Sequence, residues 1–321
     1  MNKVRRISDL FLPLAVLFCV YSAGCSDCTE KTQFTFNWPV PSKATVEMKA
    51  DDGRDVFHTK FTISTTEGIN ADELLITISE FQFLRLGDAD LDDPAVLAEM
   101  APLMAMTAAI PPMVISKEGK FVRFHEWERM IDGLEDFFHQ MDPTMDEEVI
   151  EHIVSMMKNP ATLEQMQAAS AQDWSLWVGS WVNAQLCRGE SRQFTVATEM
   201  PWGGETDASA ELTYLPEDSN NPDTHRLQFK RVSSGPKMRE ALIESMKKLI
   251  PPDQLNEDKI AEMQASIGDC YLSFEATVTT DPSTLMPSTI SSSKIIKISN
   301  PKDRTGGEQQ IDNREYTFTW E

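Results

Sequence analysis

The segment 44-ATVEMK-49 alternates apolar and polar side chains residue by residue. The segment 57-FHTKFTI-63 repeats this alternation, with Phe61 and Ile63 in the apolar phase. A period of two places one set of side chains in a core and the other in water, which is typical of strands in an antiparallel sheet. These two segments therefore predict a sheet that is buried on one face only.

A third segment, 74-LLITISEFQFLRL-86, changes phase partway along. Leu74 and Ile78 share one phase, whereas Phe81 falls in the other. A one-residue shift of this kind is what a β-bulge produces, because the extra residue restores the apolar side chains to the same face. We therefore predict a bulge near Ser79–Glu80.

Further strands are predicted nearer the C-terminus, where the alternation returns in six places. They are 194–198, 210–214, 227–229, 272–278, a segment around 296–298, and 316–320. The stretch 280–287, with a proline near each end, is typical of a turn between two of these strands.

Helices are indicated where apolar residues recur at intervals of three and four. We expect helical inserts near 93–110, 127–182 and 236–266. The uncharged stretch Met100–Ile115 contains three prolines, which predicts a broken cap rather than one continuous buried helix. A short hairpin is expected through residues 113–126, with its turn at Glu118–Gly119.

The order of strands, helices, strands, helices and strands indicates an α+β fold. The simplest packing is one large curved antiparallel β-sheet, half-barrel-like, with the helical insertions covering its concave face. We assign residues 34–321 to this single domain.

The first 24 residues have the three parts of a secretory signal peptide. Positive charges at Lys3, Arg5 and Arg6 precede an apolar stretch, Leu10–Tyr21, and small residues follow. About twelve apolar residues are too few to span a bilayer, which needs roughly 20. Export is therefore expected.

The tetrapeptide Ser22-Ala23-Gly24-Cys25 resembles the lipobox of bacterial lipoproteins. This resemblance implies cleavage before Cys25 and attachment of a diacylglycerol to its sulfur, with residues 25–33 as lipidated cysteine and tether. Ser22 departs from the pattern, which usually has leucine there, so a secreted protein remains the alternative. Ser26 resembles the signal for retention at the outer membrane of the cell envelope.

The charge balance excludes one class of partner. The chain carries a formal net charge of −22, and its Lys and Arg residues form no cluster. Such a chain is a poor ligand for phosphate backbones, so we expect no nucleic acid partner. A hydrophobic content of 41% is ordinary for a folded protein, so the acidity indicates a solvated surface.

Five cysteines are present, of which Cys19 lies in the signal. Cys25 and Cys28 have the C-x-x-C spacing of redox sites, but a polar tether surrounds them instead of the strand and helix that such chemistry requires. Cys187 and Cys270 each lie just before a predicted strand. In an oxidising envelope we expect them to form a disulfide.

Methionine and tryptophan are concentrated in the middle of the chain. Ten of the 17 methionines lie between Met100 and Met166, and three tryptophans follow. They either pack helices against the sheet or form an adaptable lining for an apolar ligand, since methionine is flexible and polarisable. A copper site with thioether ligands is a third interpretation, although no His or Cys lies near these methionines in the sequence to complete it. The candidate ligand-binding residues are Met100, Met104, Met106, Met130, Trp174, Trp177 and Trp181.

No catalytic or metal-binding signature is recognisable. The sequence has no G-x-S-x-G elbow, no H-E-x-x-H pair and no phosphate-binding loop. The carboxylates from Asp88 lack the glycine that a calcium loop requires, so Asp93-Pro94 is better explained as a helix N-cap. We expect no catalytic residue, metal or cofactor; a hydrolase with an unrecognised site would need an open cleft.

The element order resembles the half-barrel with helical cover of periplasmic lipoprotein carriers, and also many uncharacterised exported bacterial proteins. Together with the lipobox-like sequence, the Met-rich cover and the uncharged segment 100–115 motivate the leading hypothesis: a lipid-anchored envelope protein that binds a hydrophobic ligand, such as a lipid, or a protein partner without catalysis. The alternative is a structural or accessory envelope lipoprotein that holds no ligand inside.

Overall fold

The computed structural model describes residues 30–108, 110–141, 147, 150, 154–155, 158, 171–199, 205–217, 223–248, 255–299 and 308–321. The predicted signal peptide and the candidate lipid attachment site, Cys25, lie outside these residues. So does most of the predicted helical stretch between 142 and 170.

Most of the described chain is β-strand. The strands are β1 (Thr32–Gln33), β2 (Ser42–Asp51), β3 (Val56–Glu67), β4 (Glu73–Leu86), β5 (Met113–Ser116), β6 (Phe121–Phe124), β7 (Gln185–Leu186), β8 (Ser191–Glu199), β9 (Glu205–Tyr214), β10 (Arg226–Ser234), β11 (Cys270–Thr280), β12 (Pro287–Ile298) and β13 (Glu308–Trp320). The helices are α1 (Pro94–Ala108), α2 (Trp127–Met141), α3 (Gln172–Trp174), a π-helix (Ser175–Gly179), α4 (Pro236–Lys248) and α5 (Glu257–Ser266).

Eleven of these strands form one antiparallel sheet, in the order β6-β5-β4-β3-β2-β13-β12-β11-β10-β9-β8. The last strand, β13, pairs with β2 and so joins the two ends of the described chain at the middle of the sheet. The sheet is open, with β6 and β8 at its edges. The prediction of one large antiparallel sheet is confirmed.

The predicted bulge is present in β4. Lys60 pairs with Gln82 and Thr62 with Ser79, so two residues of β4 face the single Phe61. Glu80 takes a φ of 55°, which is the left-handed conformation that absorbs the extra residue. The ring of Phe61 consequently stacks on that of Phe81 at 5.7 Å.

One face of the sheet carries the buried side chains, and we call it the apolar face. It is defined by Val46, Ile63, Ile76, Leu212, Ala276 and Phe318. Two helices cover parts of it: Trp127 and Ile131 of α2 join the main core cluster, whereas Met238 of α4 packs in a second cluster with Leu272 of β11. Most of the opposite face is polar and solvated, as the alternation predicts.

The expected hairpin is confirmed as β5 and β6, with Gly119 at a φ of 83°. The expected break within Met100–Ile115 is only partly correct. Helix α1 runs through Pro102 and ends at Ala108, before the proline pair at 111–112. It begins after Asp93, whose carboxylate accepts a hydrogen bond from the Ala95 amide at 2.9 Å, as expected for an N-cap.

The end of the predicted tether is structured. Thr32 and Gln33 form β1, which pairs with Leu186 and Gln185 of β7 in a separate two-stranded sheet. Folded structure therefore begins before residue 34. Within the part of the chain that the structure describes, no helix is both long enough and apolar enough to cross a bilayer.

Candidate functional site

The three predicted ligand-binding tryptophans lie in the main core. Trp174, Trp177 and Trp181 are fully buried on the segment that follows α2. Trp174 packs edge-on against Phe36 at 5.6 Å, and Trp177 against Phe318 at 5.7 Å. They fill the apolar face with the chain's own aromatic rings, so packing accounts for their burial without a ligand.

The predicted methionines separate into different environments. Met130 is half-buried and packs against the same core as the tryptophans. Met100 is buried outside that cluster, whereas Met104 is 42% exposed. The side chain of Met106 is outside what the structure describes. The six candidates whose side chains the structure describes therefore occupy several different environments.

Helix α1 nevertheless exposes an apolar surface. Leu97 and Met104 are each 42% exposed, and Glu99 is the only charged residue between Pro94 and Ala108. The helix packs against β4, where Leu84 is also exposed. Apolar side chains exposed on one helix and on the strand that supports it make this region a candidate for contact with an apolar partner. We call Leu84, Leu97 and Met104 the α1 patch.

The predicted disulfide between Cys187 and Cys270 is wrong. Cys270 is a free, buried cysteine, and burial raises the pKa of its thiol. Cys187 is disulfide-bonded, so its partner is a different cysteine. The two lie on different elements: Cys187 follows the edge strand β7, whereas Cys270 packs beneath α4. Equivalent places in the local pattern do not make residues neighbours in the fold.

A buried polar group lies where α4 covers the sheet. Arg231 is on β10 and faces the apolar side, opposite Phe274 of β11. Only 6% of its surface is exposed, and its Nε atom has no acceptor. The hydroxyls of Ser233 and Thr206 are also buried without a hydrogen-bond partner. Burial lowers the pKa of Arg231 to about 10, so the guanidinium remains charged at neutral pH.

In a second cluster of buried polar side chains, the hydrogen-bonding groups are paired with one another. The Tyr316 hydroxyl donates to the Asp173 carboxylate at 3.2 Å, and Arg314 donates to Asp312 at 2.9 and 3.1 Å. Burial raises the pKa of Asp173, while the positive charge of Arg314 opposes that effect. Because its charges have partners, this group fastens α3 to β13 and leaves no charge free for a ligand.

The outer face of the sheet has a polar groove of about 540 Å³ across β11, β12, β13 and β2. Serine hydroxyls and carboxylates dominate its lining, which includes Lys49, Asp51, Glu275, Ser291, Ser293 and Glu315. Among the described residues, no group of three His, Cys, Asp or Glu side chains is placed to hold a metal ion.

Sequence reasoning missed Arg231, although a signal for it exists. Leu227 and Phe229 establish the apolar phase of this strand, and Arg231 continues in the same phase. A charged residue in the buried phase of a strand requires a partner, so this position is a candidate site on pattern alone.

Comparisons with known proteins add little. No family model matches the chain, and no curated protein matches it. Six chains of solved structures match, one of them titled "Lipid-protein interactions in lipovitellin". It has 8% sequence identity and a TM-score of 0.37, and the match covers 87% of this chain but only 25% of that one. At this score the similarity carries no argument about function.

Proposed function

We propose that the protein is a lipid-anchored component of the bacterial cell envelope, attached through Cys25, that binds a hydrophobic ligand without catalysis. The lipobox-like sequence before Cys25 supports the anchor, and Ser26 after it supports an outer-membrane location. In this proposal the apolar face of the sheet is concave, half-barrel-like, and α1, α2 and α4 are its cover.

The α1 patch is the observation that carries the binding proposal. A 15-residue helix with a single charged side chain exposes Leu97 and Met104 to water. Burying such side chains stabilises a complex by about 1.5–3 kcal/mol each when burial is complete. An acyl chain laid against α1 and Leu84 would gain less than half of this contribution per side chain, because Leu97 and Met104 are already more than half buried, and the flexible methionine would adapt to it.

Native mass spectrometry of the full mature chain, released from detergent micelles in the gas phase, tests this proposal. We expect non-covalent lipid adducts on the wild-type protein. The double variant Leu97→Glu/Met104→Glu should lose most of them, because two carboxylates would have to be desolvated against the chain.

The matched control is Ile69→Glu. Ile69 is 69% exposed in the turn between β3 and β4, so this change adds a carboxylate to an apolar position outside the α1 patch. Its adducts should match those of the wild type. Equal loss in both variants would contradict binding at α1.

The second candidate is an accessory envelope protein that holds no ligand. The dense packing of Trp174, Trp177 and Trp181 favours it, because these rings occupy the apolar face themselves. In the same spectra, this alternative predicts a bare protein mass and adducts only with another envelope protein.

A further inference from the structure

Arg231 is a buried cation for which the described residues supply no anion. None of them forms an ion pair or hydrogen bond with its guanidinium, and burial alone perturbs its pKa. The favourable electrostatic contact that the described residues offer it is the Phe274 ring, 5.9 Å from Cζ. A charge removed from water without a counter-ion is strongly unfavourable, so natural proteins pair it.

Other arginines of the chain with reduced exposure follow that rule. Arg314 donates to both oxygens of Asp312, and Arg123 to both oxygens of Glu73. Arg192 lies 2.8 Å from a carboxylate oxygen of Glu190. Arg231 is more buried than any of these three, and it is the one without a carboxylate.

The surroundings of Arg231 combine a hydroxyl donor with apolar walls. Ser233 lies two residues further along β10 on the same face. Its hydroxyl is buried and free to donate. Met238 and Ala241 of α4 are buried above this region of the sheet.

We propose that Arg231 and Ser233 bind the oxyanion headgroup, a carboxylate or a phosphate, of an acyl-chain ligand held between α4 and β9–β11. A guanidinium offers parallel N–H donors that match both oxyanions, and the Ser233 hydroxyl supplies a further hydrogen bond. Met238 and Ala241 contact the adjoining part of the acyl chain. This inference rests on the proposed function and adds a second acyl-chain site, separate from the α1 patch.

Thermal unfolding of the full mature chain in maltoside micelles, followed by tryptophan fluorescence, tests the proposal. The probes are dodecanoate, dodecyl phosphate and the uncharged methyl dodecanoate. At least one anionic probe should raise the Tm saturably, because a ligand that binds only the folded state stabilises it. Methyl dodecanoate should raise the Tm by less than half as much.

The Arg231→Met variant should fold, because it replaces an unpaired buried charge with an apolar side chain of similar length. We expect its apparent affinity for the anionic probes to fall at least tenfold. Arg85→Met, which removes an exposed arginine, is the matched control and should keep wild-type affinity. Equal affinities in all three proteins would overturn the proposal.

Two further arms fix the ligand class and separate this site from the α1 patch. Inorganic phosphate and acetate should raise the Tm little; if they act as strongly as the acyl probes, the acyl part of the proposal is overturned. Ser233→Ala should weaken anion binding about threefold. This variant tests the site independently of Arg231→Met. An Arg231-dependent response that persists in Leu97→Glu/Met104→Glu supports this site even if binding at α1 fails.

Discussion

The indole nitrogen of Trp174 donates a hydrogen bond to the carbonyl oxygen of Gly119 at 2.9 Å, across 55 residues of sequence. It ties the segment that fills the apolar face to the turn between β5 and β6. Gly119 also lies against Phe36, so three distant segments meet at one turn. The stability of the core therefore depends on a position that the sequence marks only as a turn.

Replacing Gly119 with alanine should be strongly destabilising. An added Cβ would lie 2.7 Å from Cβ of Phe36, and the φ of 83° is unfavourable for any side chain. We expect the free energy of unfolding to fall by about 2–4 kcal/mol in urea denaturation. Gly53→Ala is the matched control, because Gly53 has a φ of 80° and no atom within 4 Å of the added Cβ. It should lose only about 1 kcal/mol; equal losses would refute the packing argument.

Trp174→Phe should keep most of the aromatic packing but remove the donor to Gly119. The buried carbonyl then loses its partner and a small cavity remains, so the free energy of unfolding should fall by about 2–4 kcal/mol. Adding Gly119→Ala to this variant should cost less than the sum of the two changes, since they disturb one contact. A fully additive double-mutant cycle would show that the hydrogen bond does not couple the two segments.

The ion pair between Glu73 and Arg123 makes the free energy of unfolding depend on pH in the acidic range. Two hydrogen bonds from Arg123, at 2.7 and 3.2 Å, are the main reason that the pKa of Glu73 is lowered to about 2 from an ordinary 4.5. Because the folded-state pKa is depressed, the stabilisation is complete above pH 4.5 and disappears as the pH falls through 2. The destabilising effect of Glu73→Gln, measured by urea unfolding, should therefore shrink between pH 5 and pH 2.

Glu67→Gln provides the comparison for this pair. Glu67 faces Lys117 at 3.8 Å with both side chains largely exposed, so its removal should have little effect at any pH. A Glu73→Gln effect that stays constant from pH 5 to pH 2 would show that Glu73 contributes through packing rather than charge.

Cys187 needs a partner other than Cys270, and we predict Cys28. Cys19 leaves with the proposed signal peptide and Cys25 carries the proposed lipid, so Cys28 remains. The pairing of Thr32 with Leu186, the residue before Cys187, also directs the preceding chain toward it. A non-reducing digest should give a Cys28–Cys187 peptide, and iodoacetamide should label Cys270 only after unfolding. A Cys187–Cys270 peptide would contradict the structure.

Local periodicity predicted most of the sheet. The alternation in β2 and β3 and the phase change at Glu80 follow from which side chains avoid water, and that is decided within a few residues. The β5–β6 hairpin and the N-cap at Asp93 follow from equally local chemistry.

The relationships between distant segments were not predictable in this way. The pairing of β1 with β7 joins residues about 150 positions apart, and nothing in either dipeptide specifies the other. The cysteine pairing failed for the same reason. Arg231 was missed because the strand was predicted from Leu227 and Phe229 alone. The next position in the same phase, Arg231, was not considered.

The most direct test of the central claim is the mass of the native protein extracted from its membrane, measured first intact and then after denaturation. The proposal predicts a chain that starts at Cys25 and carries covalent acyl mass, with an additional acyl-chain anion that is lost on denaturation. A chain that begins at another residue, or one without acyl mass in either spectrum, would contradict it.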